Sequence, residues 1–409
     1  MENTIARGEF MNQFLKKKSG PYSFVGVTNG VSAVNVIAAG HERVGVYVGG
    51  WQTNAMRNRL HQLLPDTLYV SLEEASVQAE EINSYMRKTE KVRELHYTND
   101  PVIYDKFSLL ADLEQGWSCI HKTREAVRLA IHSGINMIHI EDQGVQKRCG
   151  HLGDKELHSI DHFVRILRAV QATVHEELGD QKDRFRIIAR TDALSATRIM
   201  YHHEITDPQH PEHQFVDWTR KGYGHYLFLK KGINPSTGQL WGMDLAIQRC
   251  VRVYGEGLCD HLWIETPDGD LDIARQFIQG VRAHHRDVTA LYNFSPSFDW
   301  GKKFSTTVEL EQFSDELYHM GYVLHLVTLP EFHILAYHMY MFSDRISMTG
   351  AISAYVDMVQ NPEKKLANCS LYRFLWHQTA TGTGLEAQFA KRIGDENINI
   401  LSESTERCE

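Results

Sequence analysis

Short apolar runs, each ending in polar or glycine residues, recur along the chain. Eight such runs are present, at 23–28, 44–48, 107–112, 137–141, 186–190, 261–265, 289–293 and 323–328. Continuous apolar runs of this length are typical of strands that are buried on both faces, as in a parallel sheet. The pattern therefore predicts parallel strands rather than the alternation of a half-exposed sheet.

Helix-like stretches lie between most of these runs. Residues 124–133 carry an apolar stripe at helical spacing, and residues 271–284 repeat that pattern. Alternation of strands with such helices indicates β-then-α units, and eight of these units predict a (β/α)8 TIM-type barrel of the α/β class.

Polar residues cluster where the predicted strands end. In such barrels the chemistry takes place at the carboxyl ends of the strands. The strand-end motifs are Gly49-Gly50-Trp51, Asp112-x-Glu114, Glu141-Asp142, Arg190-Thr191-Asp192, Glu265-Thr266, Asn293-x-Ser295-x-Ser297 and Thr328. Seven polar strand ends predict one shared site.

The domain organisation follows from the same pattern. Residues 200–244, rich in His, Gly and Asp, predict an insertion after the fourth strand. We expect an N-terminal tail or helix over 1–22, a catalytic barrel over 23–350 and a helical C-terminal region over 351–409.

Composition restricts the classes of partner. The net charge of −9 disfavours nucleic acid, because phosphate binding needs a basic face. No apolar run approaches the roughly 20 residues that span a bilayer. The six cysteines form no Cys-x-x-Cys pair and there is no apolar signal segment, so we expect a cytoplasmic protein with reduced thiols.

Acidic residues at two strand ends predict a metal site. Asp112, Glu114 and Glu141 offer the oxygen ligands that Mg²⁺ prefers, and Asp66 in a Pro-Asp turn is a further candidate. The alternative is that these carboxylates cap the helices that follow.

Cys149 is a candidate for proton transfer. It lies between Lys147-Arg148 and Gly150-His151, and neighbouring cations lower the pKa of a thiol. A buried cysteine that acts only as a small apolar side chain is the alternative.

Two further groups of residues predict a substrate with carboxylates. Arg190 ends an apolar strand, so it needs either a substrate anion or a structural partner such as Asp192. Asn293, Ser295, Ser297 and Thr328 are neutral donors that suit a second carboxylate, although a Ser/Asn-rich turn would look similar. Together with Cys149, these residues favour cleavage of a C–C bond next to a carboxylate.

These segments resemble the isocitrate lyase family, within the superfamily of 2-methylisocitrate lyase and phosphoenolpyruvate mutase. The motifs that carry the resemblance extend from about Ser23 to Gly384. They are Tyr47-Val-Gly-Gly-Trp51, Pro65-Asp66, Ala111-Asp112-Leu-Glu114, His139-Ile-Glu141-Asp142-Gln143, Lys147-Arg-Cys149-Gly-His151, Ala189-Arg190-Thr191-Asp192, Trp263-Ile-Glu265-Thr266, Tyr292-Asn293-Phe-Ser295-Pro-Ser297 and Thr328-Leu329.

The resemblance implies cleavage of isocitrate to glyoxylate and succinate, a step of the glyoxylate cycle. It implies Mg²⁺ as cofactor, with Mn²⁺ as the alternative, and a homotetramer that exchanges C-terminal helices. It implies that Asp112 binds the metal directly and that Asp66, Glu114 and Glu141 act largely through water. The catalytic residues implied are Cys149, His151, Arg190, Glu265 and Tyr47. The substrate-binding residues implied are Gly49, Gly50, Trp51, Gly150, His151, Arg190, Asn293, Ser295, Ser297 and Thr328.

Three departures from the family leave the substrate open. The family usually has Ser at position 49, and it has a smaller turn than Gly116-Trp117-Ser118-Cys119. The link Gly144-Val145-Gln146 before Lys147-Arg148 resembles 2-methylisocitrate lyase, whereas the Trp263 and Asn293 motifs match isocitrate lyase. Isocitrate is the leading substrate, 2-methylisocitrate the alternative, and a non-catalytic binding or regulatory relative the third reading.

Overall fold

Eight parallel strands form a closed barrel, which confirms the predicted (β/α)8 architecture. The structure, a computed structural model, describes residues 1–40, 42–56, 72–96, 104, 106–145, 147–222, 224–366, 369, 372, 374 and 377–394. In chain order the barrel strands are β1 (Tyr22–Gly26), β2 (Val44–Val48), β3 (Leu109–Asp112), β4 (Met137–Glu141), β6 (Arg186–Thr191), β9 (His261–Ile264), β10 (Ala290–Asn293) and β11 (Tyr322–Val327). Around the barrel their order is β1-β11-β10-β9-β6-β4-β3-β2.

A small second sheet lies outside the barrel. It contains β5 (Lys155–Leu157), β7 (Ala196–Met200) and β8 (Tyr226–Phe228), in the order β5-β7-β8. The prediction that the insertion follows the fourth strand is wrong, because residues 200–244 follow β6, the fifth strand of the barrel. The segment after the fourth strand instead supplies β5, which pairs in parallel with β7.

Helices connect the strands and surround the barrel. They are α1 (Glu2–Lys17), α2 (Gly30–Gly40), α3 (Gly50–Met56), α4 (Glu74–His96), α5 (Ile120–His132), α6 (Ile160–Leu178), α7 (Trp241–Gly255), α8 (Leu271–Arg282), α9 (Trp300–Lys303), α10 (Thr307–Met320) and α11 (Pro330–Thr349). The C-terminal region contains α12 (Ala351–Tyr355), α13 (Asn361–Lys364), α14 (His377–Ala380) and α15 (Thr383–Arg392).

The barrel interior is filled with apolar side chains rather than open. Leu110, Met137, Ile188 and Leu324, each from a different strand, belong to one buried cluster. Phe14 of α1 joins this cluster. Because the interior is packed, the polar strand ends have room for ligands only at the carboxyl rim.

Helix α11 differs from the other long helices in its exposure. None of its residues is buried, although apolar side chains lie along much of its length. No helix in the described part of the chain is long and apolar enough to cross a membrane.

Candidate active site

One pocket opens at the carboxyl ends of the barrel strands. Its volume is about 300 Å³, at the lower end of the range of small-molecule sites. The residues that line it are Tyr47, Gly49, Trp51, Gln52, Asp112, Cys149, Gly150, His151, Arg190, Trp263, Glu265, Asn293, Ser295, Pro296, Ser297, Thr328, Leu329 and His333.

Three buried carboxylates surround one ammonium group at the ends of β3 and β4. Lys147 forms an ion pair with Glu114, and its Nζ lies 3.3 Å from Glu141 Oε1 and 3.9 Å from Asp112 Oδ2. Burial alone would raise the pKa of Asp112, but the charges of Lys147, His139 and Arg190 outweigh it and the pKa is lowered. Asp112 is therefore held as a carboxylate, the form that attracts a cation.

These carboxylates suit a hard divalent ion in kind. Among the residues that the structure describes, Glu114 Oε1 is buried without a hydrogen-bond partner, which is costly unless a cation or water satisfies it. A side chain at Gly50 would overlap that oxygen, so glycine keeps the space open. Among the described residues no three potential ligands converge in a ready metal geometry, since the ammonium of Lys147 lies between the acids. Asp66 lies outside the described residues.

Arg190 is held between acids at the end of β6. Its Nε lies 2.9 Å from Asp192 Oδ2 and 3.3 Å from Glu141 Oε2, and its Nη2 lies 3.3 Å from Glu265 Oε2. Burial works against its charge, but these carboxylates raise the pKa of the guanidinium overall. Arg190 therefore pairs with Asp192 and also lines the pocket, and its binding of a substrate carboxylate stays a prediction.

Glu265 connects Arg190 to two other pocket residues. Its Oε1 lies 3.2 Å from His151 Nε2 and accepts a hydrogen bond from Asn293 Nδ2 at 3.3 Å. Burial lowers the pKa of His151 despite the nearby Glu265 carboxylate, so the imidazole is neutral at pH 7.

The loop that carries Cys149 is held at more than one point. Lys155 donates hydrogen bonds to the Gly150 carbonyl at 2.7 Å and to Asp192 at 2.6 Å. A side chain at Gly150 would overlap both Arg190 and Glu265, so only glycine permits this approach. Cys149 itself is half-buried and lines the pocket, which is the position that proton transfer requires.

Tyr47 accounts for the glycine at position 49. Its hydroxyl lies 3.0 Å from His139 Nε2. A Cβ at Gly49 would overlap the Tyr47 ring, so the tyrosine fills the space that a serine would need.

The neutral donors and the acid cluster lie on different sides of the barrel. Asn293 ends β10 and Thr328 follows β11, while Asp112 ends β3 and Glu141 ends β4. In the closed order of strands, β10 lies opposite β3 and β11 lies opposite β4. A ligand that reaches both groups must therefore span the pocket.

The structure brings together most of the predicted site. Thirteen of the predicted residues line the main pocket, while Gly50 and Glu114 line a smaller space beside Asp112, and Glu141 pairs with Arg190 and Lys147. The sequence reasoning missed Gln52, Leu329, His333 and the anchor Lys155. Gln52 and Leu329 directly follow predicted site residues, and that adjacency was the available signal.

The chain is similar to known proteins of one enzyme superfamily. A family model described as "Isocitrate lyase family" matches residues 238–392, and one described as "Phosphoenolpyruvate phosphomutase" matches residues 64–207. Isocitrate lyase of Escherichia coli (strain K12) is 28% identical over 402 residues, covering 96% of this chain and 86% of that protein. The isocitrate lyase of Corynebacterium glutamicum is 29% identical over 413 residues, covering 99% of this chain and 88% of that protein.

Solved structures support the fold. A 2,3-dimethylmalate lyase superposes with a TM-score of 0.59 at 18% identity, covering 96% of this chain and 97% of that one. An oxaloacetate acetylhydrolase with bound 3,3-difluorooxalacetate superposes with a TM-score of 0.60 at 20% identity, covering 96% of this chain and 99% of that one. The chain therefore belongs to the isocitrate lyase and phosphoenolpyruvate mutase superfamily, and it is a carbon–carbon lyase of that superfamily.

Proposed function

We propose that the protein cleaves isocitrate to glyoxylate and succinate in a Mg²⁺-dependent reaction. The observation that carries this proposal is the placement of two ligand-binding groups across the barrel. Charged groups at the ends of β3, β4 and β6 face neutral donors at the ends of β10 and β11. A tricarboxylate offers an oxygen-rich end to the first group and a separate carboxylate to the second.

Asp112, Glu114 and Glu141 would hold the metal, with Asp66 as a further candidate. A bound Mg²⁺ supplies Lewis-acid stabilisation of the negative charge that develops on the substrate oxygens.

The chain's own side chains perform the remaining steps. Arg190 binds the carboxylate of the glyoxylate half, and Asn293, Ser295, Ser297 and Thr328 bind a carboxylate of the succinate half. The Tyr47–His139 pair takes the proton of the substrate hydroxyl. As the C–C bond breaks, its electron pair stays on the succinate carbon, which takes the proton of the Cys149 thiol.

Cleavage of 2-methylisocitrate to pyruvate and succinate is the second candidate. The three-residue link before Lys147-Arg148 favours it. The indole of Trp263 favours isocitrate, because it is buried in the pocket wall. Its ring centroid lies 4.8 Å from that of His139, and Arg190 Cζ lies 4.5 Å from the indole ring. A packed indole leaves little room for an added methyl group.

Product analysis on the two substrates tests the proposal. The protein is incubated with Mg²⁺ and either isocitrate or 2-methylisocitrate, and the oxo acid is trapped as its phenylhydrazone. Glyoxylate from isocitrate is the expected product. Pyruvate from the methylated acid with no glyoxylate from isocitrate would replace the first candidate by the second.

Metal dependence needs a test that is separate from turnover. We expect chelation to abolish activity and Mg²⁺ or Mn²⁺ to restore it. Mg²⁺ should also raise the Tm of the wild type but not that of Asp112→Asn, because the substitution removes one ligand. Full activity after exhaustive chelation would refute the metal assignment.

A homotetramer in the cytoplasm completes the proposal. The exposed apolar side chains of α11 support assembly with further copies of the chain. The cysteines of the described residues form no disulfide, which is usual in a reducing compartment.

A further inference from the structure

Five hydrogen bonds converge on one carboxylate outside the catalytic set. Glu331 Oε2 accepts from the Thr28 amide at 2.5 Å, from the Thr28 hydroxyl at 2.9 Å and from Gln52 Nε2 at 2.9 Å. Its Oε1 accepts from Asn29 Nδ2 at 2.5 Å and from Ser32 Oγ at 2.6 Å. A carboxylate with five donors is fixed far more firmly than a surface glutamate.

These bonds join three neighbouring strand ends of the barrel. Glu331 lies in the first turn of α11, three residues after the pocket residue Thr328. Thr28, Asn29 and Ser32 belong to the segment after β1, and Gln52 belongs to α3, which follows β2. A side chain at Gly26 would overlap the Thr328 carbonyl, so the ends of β1 and β11 are already in close contact.

The bond to Gln52 reaches the pocket wall. Gln52 lines the pocket directly after Trp51, and Trp51 packs edge-on against Phe332 at 5.3 Å. Because Nε2 donates to Glu331, the orientation of the amide is set. Its Oε1 is buried and has no hydrogen-bond partner among the described residues.

The end of β1 has a distinct role in this arrangement. Every other barrel strand or the loop after it contributes a described residue to the pocket or the acid cluster, whereas β1 and its loop contribute none. The donors of the β1 loop are directed to Glu331 instead. This carboxylate therefore connects the loop to the pocket residue Gln52.

We propose that Glu331 is a positioning residue that holds Gln52, Trp51 and Thr328 in the geometry that binds substrate. This inference rests on the proposed lyase function. The Cys149 loop and Arg190 lie on other strands, so Glu331 affects how tightly substrate binds and leaves the chemical step unchanged.

Steady-state kinetics of Glu331→Gln test this role. The amide keeps the shape of the side chain but places an NH2 group opposite donors, so several of the five bonds are lost. We expect KM for the tricarboxylate to rise about tenfold with kcat within about twofold of wild type, the pattern of lost uniform binding. Glu309→Ala, which removes the side-chain acceptor of the capping box of α10, is the control and should lower Tm with KM unchanged.

A second variant covers the case in which Glu331→Gln folds poorly. If Glu331 acts through Gln52, then Gln52→Ala alone should raise KM. Adding Glu331→Gln to it should raise KM by much less than in the wild-type background. Unchanged KM in Glu331→Gln, or a loss confined to Tm or kcat, would overturn the inference.

Hydrogen exchange separates this inference from the proposed function. In Glu331→Gln the amides of 50–56 and 27–32 should exchange faster than in wild type, whether or not either tricarboxylate is cleaved. If the wild type cleaves neither substrate, the proposed function fails while this measurement still tests the positioning role. Unchanged exchange in both segments would refute it.

Discussion

In the proposed mechanism, Arg190 binds a substrate carboxylate and Cys149 delivers a proton. Arg190 is fixed by three carboxylates, Asp192, Glu141 and Glu265, so it is charged and oriented before substrate arrives. Cys149 has a different setting on a half-buried loop beside the neutral His151. A rigid cation and a mobile thiol suit binding and proton delivery respectively.

We predict that Cys149→Ser lowers kcat at least about 100-fold while KM changes little. A serine hydroxyl is a much weaker acid than a thiol, and general acid catalysis typically contributes about 10²–10⁴ in rate. Steady-state kinetics check this, with Cys119→Ser, outside the pocket, as the control. Equal turnover in the Cys149 variant would remove the thiol from the mechanism.

We predict that substrate choice depends on Trp263, whose buried indole forms part of the pocket wall. Trp263→Phe should open space beside His139 and Arg190 and shift the ratio of kcat/KM towards 2-methylisocitrate. One methyl group is worth roughly 1–3 kcal/mol in such a pocket, so we expect a shift of about 10–200-fold. Competition assays with both substrates measure it. A ratio that stays at its wild-type value would show that another wall sets the preference.

At the scale of elements, we expect the link between β4 and β5 to change position when substrate binds. Val145 and Leu152 are exposed, at 55% and 57%, whereas Lys147 is buried among the acids. Lys155 anchors one end of the link through Gly150 and Asp192. The link therefore combines exposed side chains with buried contacts at Lys147 and Gly150.

We expect Mg²⁺ with glyoxylate and succinate to protect this link from trypsin. Closure over ligand would bury the peptide bond after Arg148, whereas the bond after Lys221, exposed in the insertion, should be cut at the same rate. Mass spectrometry of the fragments gives both rates in one experiment. Equal cleavage after Arg148 with and without ligands would argue against closure.

The barrel was predictable because each of its strands is a continuous apolar run. The second sheet was not, since β5 is only three residues long and contains Lys155 and Glu156. Lys155 forms its ion pair with Asp192, which is distant in sequence. The insertion was consequently placed one strand too early.

The site was predictable where function lies at a strand end and less so elsewhere. Asp112, Arg190 and Asn293 each end an apolar run, so their position predicted that they lie in the pocket. Glu331 lies one helical turn beyond a strand end, and its five donors come from segments far away in sequence. No local pattern could have revealed that cluster.

At the scale of the whole molecule, buried neutral histidines couple stability to pH. Burial lowers the pKa of His158 to about 3, of His261 to about 3 and of His325 to about 4. In the unfolded chain these groups titrate near about 6.5. As pH falls from about 6.5 towards 4, the unfolded chain therefore binds protons that the folded protein does not.

The free energy of unfolding should consequently be highest above about pH 6.5 and fall on acidification. Each such histidine contributes a slope of up to about 1.4 kcal/mol per pH unit. Urea unfolding between about pH 7 and 5 measures the slope. His261→Gln should reduce it, and the exposed His284→Gln should not. An unchanged slope in the first variant would refute the linkage.

Helix α11 leaves a row of apolar side chains exposed on the single chain. Ile334, Leu335, Tyr337, Met339 and Tyr340 are all at least half exposed, yet monomeric proteins rarely expose a continuous apolar surface of this kind. Burial of that surface against other copies would remove apolar area from water. It would also fix α11, whose first turn contains Glu331.

We therefore predict that the protein is a tetramer in solution, with a mass about four times that of the 47.0 kDa chain. Tyr340→Glu should dissociate it, because a carboxylate buried in an apolar interface loses its hydration. Light scattering after size-exclusion chromatography measures the mass, with Val308→Glu on the exposed face of α10 as control. Glu331 lies in the first turn of α11, and Thr328 precedes that helix by two residues. Dissociation should therefore also raise KM. A monomeric wild type with full activity would contradict both statements.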